Sequence, residues 1–133
     1  MDEEPADALA LLAGILSRMQ DVVGEGASYA MLHYGAVEEG KRLGARIGGD
    51  LPRLLGAIDA LLGQRTEVAR DAGDEVTLVV RGGRLLRGDR ATRGLVLGLL
   101  EGALGGARGA RYSGTASSAG GAVVLELRRA APG

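Results

Sequence analysis

The chain has no cysteine, no phenylalanine and no tryptophan, and it has a single histidine. Without cysteine there can be no disulfide, no thiolate metal site and no cysteine nucleophile. Tyrosine is the only aromatic type, present three times, so few large rings are available to fill a core. One histidine cannot supply the several His or Cys ligands of an ordinary zinc site. Charge of one sign is also lacking: 16 basic and 17 acidic residues leave a formal net charge of −1. A general nucleic-acid binder would show a basic excess, so none is expected. The longest uncharged apolar run, Gly94 to Leu100, falls far short of the ~20 residues that span a bilayer. The amino end is acidic (Asp2, Glu3, Glu4), unlike a secretory leader. A cytoplasmic location is expected.

What the chain does have is aliphatic residues and glycine. Its 133 residues suit one domain, residues 1–133, and 46% of them are hydrophobic. Glycine occurs 24 times, well above the usual ~7%. The heavy use of Ala, Gly, Leu and Arg also suits a GC-rich bacterial genome. Two rows of small residues stand out, each spaced by four: Ala36, Gly40, Gly44, Gly48 and then Gly94, Gly98, Gly102, Gly106. Glycine within a helix costs about 1 kcal/mol relative to alanine, so such rows need a reason. A spacing of four aligns them on one side of a helix, where another backbone or a flat ligand can come close.

Hydrophobic periodicity gives the elements. An extra amphipathic helix over residues 1–24 carries Leu9, Leu12, Leu16, Met19 and Val23 at spacings of three and four. A second row, Leu11, Ile15 and Val22, widens its apolar surface. A second helix runs from about Ala27 to Ile47, with an inner face of Tyr29, Leu32, Ala36, Gly40, Leu43 and Ile47. Asp50 and Pro52 open a third helix, whose stripe is Leu51, Leu54, Leu55, Ile58, Leu61 and Leu62. Arg65–Arg70 and Glu75–Arg81 read as strands around the turn Ala72-Gly73-Asp74. Asp89 caps a fourth helix, about Arg90 to Gly106. Tyr112–Ser117 and Ala122–Arg128 make a closing hairpin. The fold class is α+β: three N-terminal helices, a β-hairpin, a helix and a C-terminal β-hairpin. The four-stranded antiparallel sheet packs on the helices.

Three sets of residues are candidate sites. Tyr29, His33, Gly40, Gly44, Gly94, Gly98 and Gly102 would line a ligand pocket beside the glycine rows. Close helix packing is the ordinary use of such rows, and both can hold if the pocket lies beside the packed helices. His33 reads first as a hydrogen-bonded structural residue. Arg84, Arg87, Arg90 and Arg93 gather before and at the start of the fourth helix, where backbone N–H groups could help hold an anion. The alternative there is a solvated charged loop. Leu12, Ile15, Met19 and Val22 of the first helix would form a dimer interface, since one small sheet cannot cover all its apolar surface. Ser113, Thr115, Ser117 and Ser118 have no base in view, and Glu38-Glu39 point about 100° apart, so no catalytic constellation emerges.

The segment LGARIGGDLPRLLGAIDALLGQRTEVARDAGDEVTLVVRGG, followed by RGLVLGLLEGALGG and the closing hairpin, resembles the 4-vinyl reductase domain. That family is related in fold to TRAPP transport-particle subunits and to haem-based nitric-oxide-binding domains. Gly44, Gly48, Gly63 and the Gly94/Gly98/Gly102 helix carry the resemblance, which covers about residues 26–128. Many members have a C-x3-G-x3-C pattern in the last hairpin, where this chain reads TASSAGGAVVLEL. A metal or redox role tied to those cysteines is therefore not implied, and no metal or cofactor is expected. The resemblance implies a non-catalytic binding and dimerisation module, sensing a small apolar ligand or scaffolding a protein partner. A tetrapyrrole- or haem-related enzyme or carrier is the alternative.

Overall fold

The computed structural model describes residues 14, 15, 18–83, 85–87 and 90–130. Leu12, Arg84 and Asp89 lie outside them, and the side chains of Arg87 and Arg90 are likewise not described. Residues 18–23 are helical up to Gly24, whose φ of +88° breaks the helix. Then follow α1 (Glu25–Ile47), α2 (Leu51–Leu62), β1 (Arg65–Asp71), β2 (Glu75–Arg81), a 3₁₀ turn at Leu85–Arg87, α3 (Arg90–Arg108), β3 (Tyr112–Ala119) and β4 (Ala122–Arg129). The chain is α+β, with one antiparallel sheet of strand order β1-β2-β4-β3 packed against helices. β1 and β3 are its two edges. Among the described residues, no helix is long and apolar enough to cross a membrane.

Local chemistry sets the boundaries. The Asp50 carboxylate accepts the Arg53 N–H, and Pro52 needs no intrahelical partner in the first turn. Gly63, in the left-handed region, closes α2. Gly120 and Gly121 both have positive φ and form the two-residue turn between β3 and β4. Such a turn matches the twist of the paired strands without strain.

The core lies between one face of the sheet and two helices. Val76, Leu78 and Val80 of β2 stand beside Leu125 and Leu127 of β4, as strand alternation requires. They pack against Leu54, Leu55 and Ile58 of α2 and Val96, Leu97, Leu100 and Leu104 of α3. The predicted α2 stripe needs one correction: Leu61 is 63% exposed. It lies about 100° before Leu62 around the helix, beyond the sector that core and sheet cover.

The inner face of α1 also differs from the sequence pattern. Ser28, Ala36, Gly40 and Gly44 are the buried residues, whereas Tyr29, Leu32, Leu43 and Ile47 are only partly buried. The small residues lead because α1 packs mainly on another helix, α3, and not on the sheet.

The two glycine rows meet each other. A side chain on Gly98 would strike the His33 carbonyl at 2.7 Å, one on Gly102 the Val37 carbonyl, and one on Gly106 the Lys41 carbonyl. In return, Gly40 faces the Leu99 carbonyl and Gly44 the Ala103 carbonyl. Partners rise in number together along both chains, so α1 and α3 run parallel. Each glycine lets a carbonyl of the opposite helix approach its Cα, a contact that recurs where helices pack this closely. Glycine's propensity cost is offset by the contact it permits.

Candidate functional site

A groove of about 980 Å³ runs along the flank of α3. One wall is α1, through His33, Tyr34, Val37 and Lys41. The other is the start of β3, through Arg111, Tyr112 and Ser113. Gly102, Gly105 and Gly109 keep its floor low. A side chain on Gly105 would meet the Ala110 carbonyl at 2.5 Å, so the floor cannot be raised there without moving backbone.

At the inner end of the groove stands Glu101, only 6% exposed. His33 Nε2–H donates to its Oε1 at 2.6 Å, and the Gly114 N–H donates to its Oε2 at 2.7 Å. One carboxylate thus ties together α1, α3 and β3. An ionised carboxylate only accepts, so this arrangement keeps the His33 proton on Nε2. Tyr29 stacks on the His33 ring, with centroids 5.6 Å apart and planes 6° from parallel. The Tyr29 ring in turn lies over Gly94, where a side chain would come within 2.5 Å of it.

The pocket candidates therefore divide. His33 and Gly102 line the groove. Gly40 and Gly44 face α3 backbone, Gly94 faces the Tyr29 ring, and Gly98 faces His33 and Ala36. Of the arginine cluster, Arg93 is exposed, and Arg84 and the side chains of Arg87 and Arg90 lie outside the described ones. The nearby Arg81 pairs with Glu67 at 4.0 Å. Of the interface candidates, Ile15 and Val22 are exposed and Met19 is half-buried. Neither a protein-family model nor a curated protein matches the chain.

Glu101 was not singled out by sequence. Its signal was weak but present: it is the one charged residue between Leu95 and Ala107, in a run of leucines and glycines. Asp59 of α2 plays a parallel part at the opposite edge of the sheet. It accepts the Thr66 N–H at 2.7 Å and the Thr66 hydroxyl at 2.6 Å. A third carboxylate, Asp71, receives Arg108, which also reaches the Gly73 carbonyl. The Arg108 hydrogen bond, followed by that of the Gly73 N–H, holds the Asp71 carboxyl below its usual range. Asp71 likewise raises Arg108. Together with the Tyr112 hydroxyl, which donates to the Gly73 carbonyl at 2.6 Å, this ties the β1–β2 turn to the end of α3.

His33 is oriented by a buried carboxylate, as a general base would be, but among the described residues no hydrogen bond joins it to Ser113. Among the described residues, no three His, Cys, Asp or Glu side chains converge as a metal set.

Proposed function

We propose that this chain is a non-catalytic binding and dimerisation module of the 4-vinyl reductase and TRAPP-like type, acting in a bacterial cytoplasm. The observation that carries the reading is the apolar surface left along its helical N-terminal part. Ile15 is 50% exposed, Val22 83% and Met31 50%. Among the described residues, α1 has one substantial neighbour, α3. A homodimer through Ile15, Met19, Val22 and the adjoining face of α1 would remove these side chains from water at roughly 25 cal/mol per Å². The groove beside α1, open to solvent and floored by glycine, offers a place for a small apolar ligand or a protein segment.

The test is light scattering at micromolar concentration with circular dichroism beside it. A wild-type dimer is expected, with Ile15→Glu and Val22→Glu giving folded monomers. A wild-type particle of 13.5 kDa would overturn the dimer.

A further inference from the structure

The strands themselves indicate what the groove accepts. β3 pairs with β4 without a bulge, from Tyr112↔Arg129 to Ala119↔Ala122. In an antiparallel pair, alternate residues turn their N–H and C=O toward the partner. The Ala130 N–H donates to the Arg111 carbonyl, so the odd-numbered residues of this strand face β4. The even-numbered ones, Tyr112, Gly114, Ala116 and Ser118, face away. Glu101 confirms this, because it takes the outward N–H of Gly114. Such a row of outward groups is a template for another strand.

Natural edges are usually blunted by charge, proline or a bulge. β1 shows this: it carries Arg65, Glu67, Arg70 and Asp71, and its register shifts between Val68 and Arg70. β3 reads YSGTASSA, with no charge and no proline. Among the described residues, the carboxylate of Glu101 is the one device on it, and it holds the place that a main-chain carbonyl of an added strand would take.

We infer that β3 is a strand-addition site for an extended segment of a partner protein, whose side chains opposite the start of β3, at Tyr112 and Ser113, enter the groove beside α1. This rests on the reading of the chain as a binding module and names its partner. A second copy of β3 does not suit the groove. Its inward face is already turned to its own α3, where a side chain on Gly114 would lie 3.2 Å from Leu97. A free segment has uncovered side chains to offer. Those entering the groove meet Val37, Tyr34 and the glycine floor, so they are apolar and of medium size. Arg111, at the open end, has no ion partner among the described residues, whereas Lys41 is matched by Glu38 at 3.1 Å. The unmatched cation fits a carboxylate at the segment's C-terminal end, which sets the segment antiparallel to β3.

The probe is an acetylated peptide of alternating threonine and valine ending in aspartate. Amide hydrogen exchange followed by NMR is the readout. With peptide at about millimolar concentration, exchange at Ala116 and Ser118 should slow at least about tenfold. Ala116→Pro removes an outward N–H and leaves the β3–β4 ladder intact, so this variant should stay folded and lose binding. Methylating the valine nitrogens, which face β3, should abolish protection in the wild type, and methylating the threonine nitrogens should not. Absence of protection in the wild type, or equal binding by Ala116→Pro or by the valine-methylated peptide, overturns strand addition. Val22→Glu keeps the two readings apart: it should abolish the dimer and leave peptide binding unchanged.

Discussion

β1 and β3 are both edge strands, and each gives one outward N–H to a carboxylate from the helix beside it. Thr66 gives its N–H to Asp59 of α2, and Gly114 gives its N–H to Glu101 of α3. Beyond that shared device the edges diverge. On β1, charged side chains and a bulge make a poor template for a second strand. On β3 the surface is made of serine, threonine, alanine and glycine, and protection falls to Glu101 and its ring partner His33. One edge is closed by composition and the other by a single hydrogen-bonded group. A group of that kind can be exchanged for a main-chain carbonyl, whereas on β1 the charged side chains and the bulge remain in the way after any such exchange. The difference marks β3, beside a groove of about 980 Å³, as the edge built for contact.

The largest expected effect comes from breaking the frame that holds α1 beside β3. Gly102→Leu would drive a side chain into the Val37 carbonyl, and backbone cannot move aside cheaply. Overpacking typically costs ~1–3 kcal/mol, and a clash with backbone belongs at or above the top of that range. Leucine also raises helix propensity by ~1 kcal/mol, so a higher melting temperature would show that the row is not packed.

The two carboxylates can then be compared directly. Glu101→Ala leaves the Gly114 N–H and the His33 Nε2–H without their acceptor in a buried place, a loss of about 3 kcal/mol. Asp59→Ala strands the Thr66 N–H and hydroxyl at a half-buried position, for about 1–2 kcal/mol. Urea denaturation checks both. Equal losses would mean that the two edges depend on their carboxylates alike.

A smaller effect belongs to Arg108→Ala, about 1 kcal/mol, since the pair with Asp71 is partly solvated. The pH dependence has a definite sign. Asp71 is held lower in the folded chain than in the unfolded one. Its contribution is therefore complete above the unfolded value of ~3.9 and is lost as pH falls through the lowered folded value. Arg108→Ala should flatten that acid limb of a stability-versus-pH curve. The smallest effect sharpens the comparison from the other side. Ala116→Lys gives β3 a charge of the kind β1 carries and should change stability by less than ~0.5 kcal/mol, while abolishing peptide capture by β3 in the exchange assay.

Much of this frame is legible in the residues. Val76, Leu78 and Val80 alternate with Glu75, Thr77 and Val79, and that alone orients β2. Asp50, Pro52 and Gly63 bracket α2. The spacing of four in Gly94, Gly98, Gly102 and Gly106 announces a close approach. It does not say to what, because the partner carbonyls lie about 65 residues away in sequence, in a helix whose parallel direction follows from the whole topology. Glu101 was hidden for a related reason. A lone acid on a glycine-rich helix reads as a solvated residue until the fold brings His33 and Gly114 to it. The exposed edge of β3 is a property of strand order, β1-β2-β4-β3, which no single segment encodes. The serines of β3 have no apolar alternation to reveal which face is inside.

The most direct test of the contrast between the edges is amide hydrogen exchange on the unliganded protein, resolved by residue. Thr66 and Gly114 should exchange slowly, because each N–H is held by a carboxylate, while Ala116 and Ser118 exchange fast beside them. In Glu101→Ala, Gly114 alone among these four should become fast. If Ala116 and Ser118 are as protected as Gly114 in the wild type, or if Gly114 is unprotected, then Glu101 does not guard an otherwise open edge.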